Sequence, residues 1–344
     1  SGYAPPLRPG EACFSRRKNT PTLLDGARVI DFRYHLVSIV AVLLALGVGL
    51  VVGSGFIGGP LLDDIEQRAE DIRDSNERLR SDLAERRDEI EQQSAFAEEA
   101  SRYLLDNRLN GVAVVLVEAD GVGGAVSDNV AQAISAAGGE VVTTIELHDR
   151  FSLEDDLEVD ELALALGSVQ EDPDEIRNEA AATLGSLLAG ASASEDRVGA
   201  QERLGTLLTD LEEAEFITVT ATDDGGSFVV AGSRFVLLGG SDEESPFQVD
   251  DFFLTVSLGL VGREQAVVVA EPLGSTWGLV SGVLADSEAR SSVSTASGVE
   301  HTAGSIAAAM ALGGARNNRV DHVGLGSEAS SVLPEPTTSP PPGE

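Results

Sequence analysis

Cysteine, lysine, methionine and tryptophan occur once each in 344 residues, and aromatics make up only 4%. The lone Cys13 has no partner for a disulfide within one chain, so no covalent staple holds this fold. With so few rings, the core must be built from Val, Leu, Ile and Ala. Positive charge is scarce too. Acidic residues outnumber basic ones 58 to 23, for a net charge of −35. A nucleic-acid binder needs cations to replace phosphate counterions, so that class is excluded. Global disorder is excluded by an apolar content of 42%. At roughly 150 residues per domain, the length fits one large domain or two modest ones.

The charge is uneven. Residues 1–60 hold six basic and three acidic side chains, whereas the remaining 284 hold 17 and 55. The division falls at an apolar run. Leu36 to Ile57 is 22 residues with no charge and two serines. At ~1.5 Å per residue it reaches about 33 Å, enough for a hydrocarbon core of ~30 Å. A buried helix of a soluble core rarely runs so long without a polar face, so a membrane anchor is expected over residues 29–60. Arg28, Arg33 and Arg16-Arg17-Lys18 precede the run, and Asp63, Asp64 and Glu66 follow it. Positive flanks stay in the cytoplasm, which puts the N-terminus inside and the acidic part outside. A cleaved signal peptide is the rival reading, with Gly53-Ser54-Gly55 as a cleavage site; the run exceeds its usual ~7–15 residue core. Gly49 and Gly53 form a GxxxG pair, and so do Gly55 and Gly59, a spacing that lets membrane helices approach closely.

Residues 1–28 are Pro-interrupted and aperiodic. They read as a disordered cytoplasmic tail or an upstream translation artefact, since Val29 offers a natural bacterial start through a GTG codon. Cys13 then carries no functional weight.

A heptad pattern occupies residues 61–108. Ile65, Ile72, Leu79, Arg86, Gln93 and Ala100 fall at d; Ala69, Asn76, Leu83, Ile90, Ala97 and Leu104 fall at a. Charged residues fill most positions between, and neither Pro nor Gly occurs from 61 to 110. A helix lying on its own domain would show a wider apolar stripe; the narrow seam points to a coiled coil. Asn76 at an a position favours a parallel pair. The expected anchor and dimer determinants are therefore Arg33, Gly49, Gly53, Ile65, Ile72, Asn76, Leu79, Leu83 and Ile90, with the lipid bilayer and a second copy as partners. Residues 61–105 would extend about 68 Å as a helix. Arg86 and Gln93 weaken the seam.

Past Asn110-Gly111 the pattern alternates strand and helix. Val112–Val117 is a continuous apolar run, as in a buried parallel strand. A helix over 127–137 and a strand over 141–147 complete a βαβ unit. Helices follow at 174–189 and 195–213, strands at 216–219, 227–230 and 235–238, a helix at 249–261, a strand at 267–269, a helix to 285, a short strand at 292–295 and a helix at 302–312. This predicts an extracytoplasmic α/β domain over 109–325, a doubly wound, mostly parallel sheet with helices on both faces. Residues 326–344 are rich in Ser, Thr, Pro and Glu and read as a disordered tail.

Chemistry-bearing motifs are sparse. Gly121-Val122-Gly123-Gly124 lies between strand and helix but lacks GxGxxG spacing and any GK[ST], and Glu118 and Asp120 would repel an anion. It reads as a structural turn. His35, His148, His301 and His322 fall in no HxH, HxxxH or HExxH spacing. His148-Asp149 and Asp321-His322 are the only candidates for weak divalent binding, and solvated surface histidine is the plainer reading, since a site needs converging ligands. Cys13 and Met310 are the only soft donors, too few for a high-affinity soft-metal site. No GxSxG elbow occurs. Glu118, Asp120 and Glu271 at strand ends could line a cleft, but no catalytic or cofactor-binding set is expected, and the chain does not read as an enzyme.

Val29-Ile30-Asp31-Phe32-Arg33-Tyr34-His35 running into Leu36–Val42, the 44–54 anchor, and charged heptads leading to a Val-rich strand together resemble the actinobacterial MctB family. The resemblance covers residues 29 to about 315 and is most specific at Asp31–His35. It implies a copper transport protein of the cell envelope with a role in copper ion homeostasis and a proposed outer-membrane channel. Related members, called SteB, imply instead a scaffold that regulates septation and peptidoglycan hydrolysis together with division proteins. Copper enters through the resemblance and not through ligand residues. The sequence also lacks the run of ~10-residue alternating strands that an outer-membrane barrel requires. An inner-membrane anchor is the expectation, with an outer-membrane location as the alternative.

Overall fold

A computed structural model describes residues 32–55, 58–193, 197–222, 228–241, 245, 247–315 and 319–335, with the backbone alone for 54, 55 and 58–64. The expected tail at 1–28, with Cys13, lies outside the described residues, as do 336–344. The chain divides into two units at Leu83/Ala84.

The first unit holds α1 (Phe32–Gly55) and the N-terminal part of α2 (Gly58–Leu104). The stretch Phe32–Gly53 is long and apolar enough to cross a membrane, with a mean hydropathy of 2.8 and no part buried within the chain.

The second unit begins inside α2 and contains a seven-stranded sheet. Its strands are β1 (Ala113–Ala119), β2 (Glu140–Leu147), β3 (Ile217–Ala221), β4 (Arg234–Leu238), β5 (Val267–Glu271), β6 (Ser294–Ser297) and β7 (His322–Gly324). They lie in the order β3-β2-β1-β4-β5-β6-β7. All neighbours pair in parallel except β3, which runs antiparallel to β2. The chain thus starts at the centre, winds outward to β3, then returns to β4 and winds the other way. Parallel strands require crossovers, and helices supply them: α3 (Gly124–Ala136), α4 (Asp156–Leu166), α5 (Pro173–Ser192), α6 (Arg197–Glu213), α7 (Val249–Val261), α8 (Leu279–Ala285), α9 (Ser287–Ser292) and α10 (Thr302–Gly314).

Alternation along each strand sends side chains to opposite faces. Val115, Val117, Phe235, Leu237 and Val269 enter a core covered by α4 to α9, with Leu184, Leu208 and Phe252 among its buried contacts. Val114, Leu116, Val236 and Val268 enter a second core covered by α3, α10 and the end of α2, through Ile134, Leu312 and Leu105. Each fully buried aliphatic side chain contributes about 1.5–3 kcal/mol. On the outer edge of β3, the Val219 amide donates to Glu212 Oε1 at 3.2 Å. A carboxylate on the edge discourages pairing with another strand.

The sequence-based reading holds for the mixed, mostly parallel architecture, with local differences that include an unexpected helix α9 before β6. The strand expected at 227–230 is absent over 228–230; side chains take its carbonyls instead, Thr143 Oγ1 donating to Phe228 O and Gln201 Nε2 to Val229 O, each at 2.6 Å. Helix α4 was not anticipated because its sequence is acidic, yet it is bounded at both ends. Asp155 accepts from the Leu157 and Glu158 amides at 3.0 Å, and Gly167 closes the helix in the left-handed conformation. Strand β7, three residues long, is too short to carry a periodic signal. Finally, residues 326–335 are not a disordered tail. The Gly324 amide donates to Ser331 O at 3.1 Å, the Ser330 amide to His322 O at 2.8 Å, and Leu333 packs on the second core.

Helices α5 and α7 approach closely at Gly185. A Cβ on Gly185 would stand 2.8 Å from Val256 O and 3.0 Å from Val256 Cα. Gly185→Ala should therefore destabilise the domain by about 1–3 kcal/mol through overpacking, read as a lower urea midpoint by circular dichroism.

Candidate functional site

In a doubly wound sheet, ligands bind beyond the carboxyl ends of the strands, where the winding reverses. Here that point lies between β1 and β4. The turn after β1 carries Gly121 at φ +88°, and β4 ends at Gly239-Gly240. The crevice is filled by the chain itself. Trp277, only 6% exposed, sets its ring 3.6 Å from where a Gly121 Cβ would stand and 3.5 Å from a Gly239 Cβ. A Cβ on Gly239 would also stand 2.6 Å from Leu279 Cδ1. The glycines thus make room for an internal indole and not for a phosphate. The Thr276 amide donates to Ser241 O at 3.0 Å, tying the loop that carries the ring across the end of β4.

Two half-buried carboxyls lie at the ends of β1 and β5. Glu118, near the end of β1, accepts a hydrogen bond from Ser127 Oγ at 2.6 Å. Burial pushes its carboxyl above the ordinary value; the Ser127 bond opposes the shift, and Glu146 and Asp128 add to it. Glu271, at the end of β5, accepts from the Val280 amide at 3.0 Å. Burial again raises it, opposed by the Val280 amide and reinforced by Glu328. Glu271 lines a cavity of 330 Å³ with Leu273, Ser275, Ser297 and Leu325, but its hydrogen bond serves to tether the start of α8.

An acidic cleft of 960 Å³ opens beside β2 and β3, with Asp120, Glu146, Asp149 and Glu215 around His148 and Arg150. Both His148 ring nitrogens are engaged, Nδ1 with Glu215 O and Nε2 with Thr218 Oγ1, each at 2.9 Å. Arg150 bonds Glu161, lies 3.5 Å from Glu215 and covers the Phe216 ring. The second candidate pair is engaged except at Asp321 Oδ2, which is buried without a hydrogen-bond partner among the described residues. Asp321 binds Arg319 at 2.9 Å, and His322 meets Thr295 Oγ1 and Arg290 O, each at 3.0 Å.

Comparison with known proteins gives a match over residues 29–334 to the family described as copper transport outer membrane protein, MctB. The chain belongs to the MctB family. Proteins named copper transporter MctB from Mycobacterium bovis and from two strains of Mycobacterium tuberculosis are each 26% identical to it over 314 residues. That alignment covers 88% of this chain and 99% of theirs. The match runs past the limit of about 315 set by the sequence resemblance, into the segment around β7 that the structure folds onto the second core.

Membership in the MctB family raises the question of copper as cargo. Among the described residues, no group of three or more His, Cys, Asp or Glu side chains stands where it could hold a metal ion. Met310, the thioether donor, is buried in α10 within the second core. Of the expected determinants, Arg33 lies in the first turn of α1 and is exposed. Gly49 and Gly53 lie further along α1, with open space where a Cβ would stand. Ile65, Ile72, Asn76, Leu79, Leu83 and Ile90 all lie along α2 with exposed side chains. They form no pocket; they mark one side of one helix. What sequence reasoning missed is the Trp277 plug, for which the single tryptophan among glycine-rich strand ends was the available signal.

Two outcomes follow. Trp277→Ala should open the crevice and destabilise the domain by about 3–5 kcal/mol, measured by urea unfolding followed with circular dichroism. For Glu118 and Glu271, a folded-state value raised above the unfolded one means that the folded form takes up protons. The associated stability is full below the ordinary value of 4.5 and is lost as pH rises through the raised one. Glu118→Gln should accordingly raise the unfolding midpoint at neutral pH and match the native protein near pH 4; an equal shift at both values would refute the assignment.

Proposed function

We propose that this chain is a single-pass membrane protein of the cell envelope that acts in copper ion homeostasis, with its N-terminus in the cytoplasm and its α/β domain outside. The observation that carries the reading is the span of the family match, which includes both the membrane-length helix and the whole sheet. The orientation rests on the positive flank before the apolar segment and the acidic one after it. The inner membrane is favoured because the spanning element is an apolar helix, whereas outer-membrane spans of this size are closed barrels.

A second reading makes the chain a parallel dimeric coiled-coil scaffold that regulates septation and peptidoglycan hydrolysis with division proteins, without direct copper chemistry. It is favoured by the apolar seam of α2, where Ile65, Ile72, Leu79, Leu83 and Ile90 are 54–67% exposed in the single chain. Isolated apolar residues on a surface need no explanation, but a row of them at heptad spacing does. The donor set also supports it, since Cu(I) prefers thiolate and thioether ligands and the one methionine is buried.

One deletion strain separates the readings. Loss of the gene should lower the copper concentration that arrests growth, and the native chain should restore it. If copper tolerance is unchanged while septa are misplaced or cells form chains, the scaffold reading replaces the copper one.

A further inference from the structure

We propose that α2 pairs with α2 of a second copy, parallel and in register over Ile65–Ile90, with Asp82 facing the partner subunit's Arg87. The inference rests on the parallel dimer reading above and adds its register, its ion pair and the end of the contact.

Orientation follows from the columns that flank the seam. With Ala69, Asn76, Leu83 and Ile90 at a, the e positions are Arg73, Arg80 and Arg87, and the g positions are Ser75, Asp82 and Glu89. One flank of the helix is therefore positive and the other polar to negative. In a parallel pair each g position faces the partner's e position five residues on. Asp82 then meets the partner subunit's Arg87, twice by symmetry, and Ser75 meets the partner subunit's Arg80. In an antiparallel pair e faces e and g faces g. Arg73 would oppose the partner subunit's Arg87, Arg80 would oppose its own copy, and Asp82 would oppose Asp82. Like charges in apposition are destabilising. One parallel contact is unfavourable, Arg68 against the partner subunit's Arg73, at the membrane end of the seam.

Charge alone does not fix the register, because sliding one helix by a heptad still sets Asp82 and Glu89 of one helix against arginines. Asn76 decides it. In register, its amide meets the partner subunit's Asn76 and both are satisfied. A slide of one heptad sets it against alanine or leucine, and a polar group in an apolar seam without a partner is costly. Arg86, an awkward d residue, has its charge offset by Glu89 of its own helix at 3.0 Å, which leaves its apolar stem to cover the seam.

The far end is set by the chain's own domain. Past Gln93 the a and d residues Ala97, Ala100 and Leu104 become half-buried, and Leu104 packs on the second core. Phe96 and Tyr103, at g, stay 74% and 83% exposed. The apolar side of α2 is thus free for a second helix up to Ile90 and committed to its own chain beyond.

The test uses the full-length protein in its membrane, with Cys13→Ser to leave a cysteine-free background. Ile72→Cys and Leu79→Cys are introduced singly, and disulfide-linked dimer is measured after mild oxidation against Arg78→Cys on the outer side. Both seam positions should link well above that background, since an antiparallel pair can bring at most one of them opposite itself. In the Leu79→Cys protein, Asp82→Arg should lower the linked fraction about threefold, and adding Arg87→Asp should restore it. Linking at neither position overturns the dimer reading itself. Linking at only one overturns the parallel orientation and leaves a dimer. Linking at both without recovery in the double exchange overturns the assigned ion pair.

Discussion

A strand buried on both faces can offer neither its side chains nor its backbone to water, so β1 must have a strand on each side and a helical layer above and below. Val114 to Val117 are essentially inaccessible, and each feature of the domain answers that requirement. β2 and β4 pair in parallel on either side. Parallel neighbours need long returns, and the returns are the helices that cover the two cores. The reversal of winding that follows places the crevice of the fold beside β1, where the chain has put Trp277.

The acidic surplus belongs to this same domain and its helical approach. A domain with so many carboxylates repels itself and resists nonspecific association. It tolerates the charge by spending carboxylates on particular tasks. Asp155 and Asp172 cap helices, Glu212 closes a sheet edge, and Glu161 and Asp321 neutralise arginines. Glu118 and Glu271 also accept hydrogen bonds, but they are held where burial favours their protonated forms.

What could be read from the sequence tracks how local the governing physics is. The runs Val112–Val117 and Val267–Val269 announced buried strands because hydrophobic continuity is a local property. Helix α5 was legible over 174–189, and the structure extends it to Pro173–Ser192 with Asp172 as its cap. Phe228–Val230 looks like a strand on composition, but its carbonyls are claimed by Thr143 and Gln201 from distant segments, and no window on the sequence contains that competition. Residues 326–335 have the composition of a tail and fold only because β7 gives them an edge to join. Helix α2 was legible as a period, whereas the seating of an indole between two glycine turns depends on strands meeting and left no local pattern.

The indole at the winding reversal is a covalently attached competitor for its own crevice. A diffusible molecule that entered there would first have to expel a ring whose burial is worth about 2 kcal/mol, a handicap of roughly thirtyfold in affinity before any new contact counts. The crevice that elsewhere serves as a receptor for cofactors is here occupied from within by the chain's own indole.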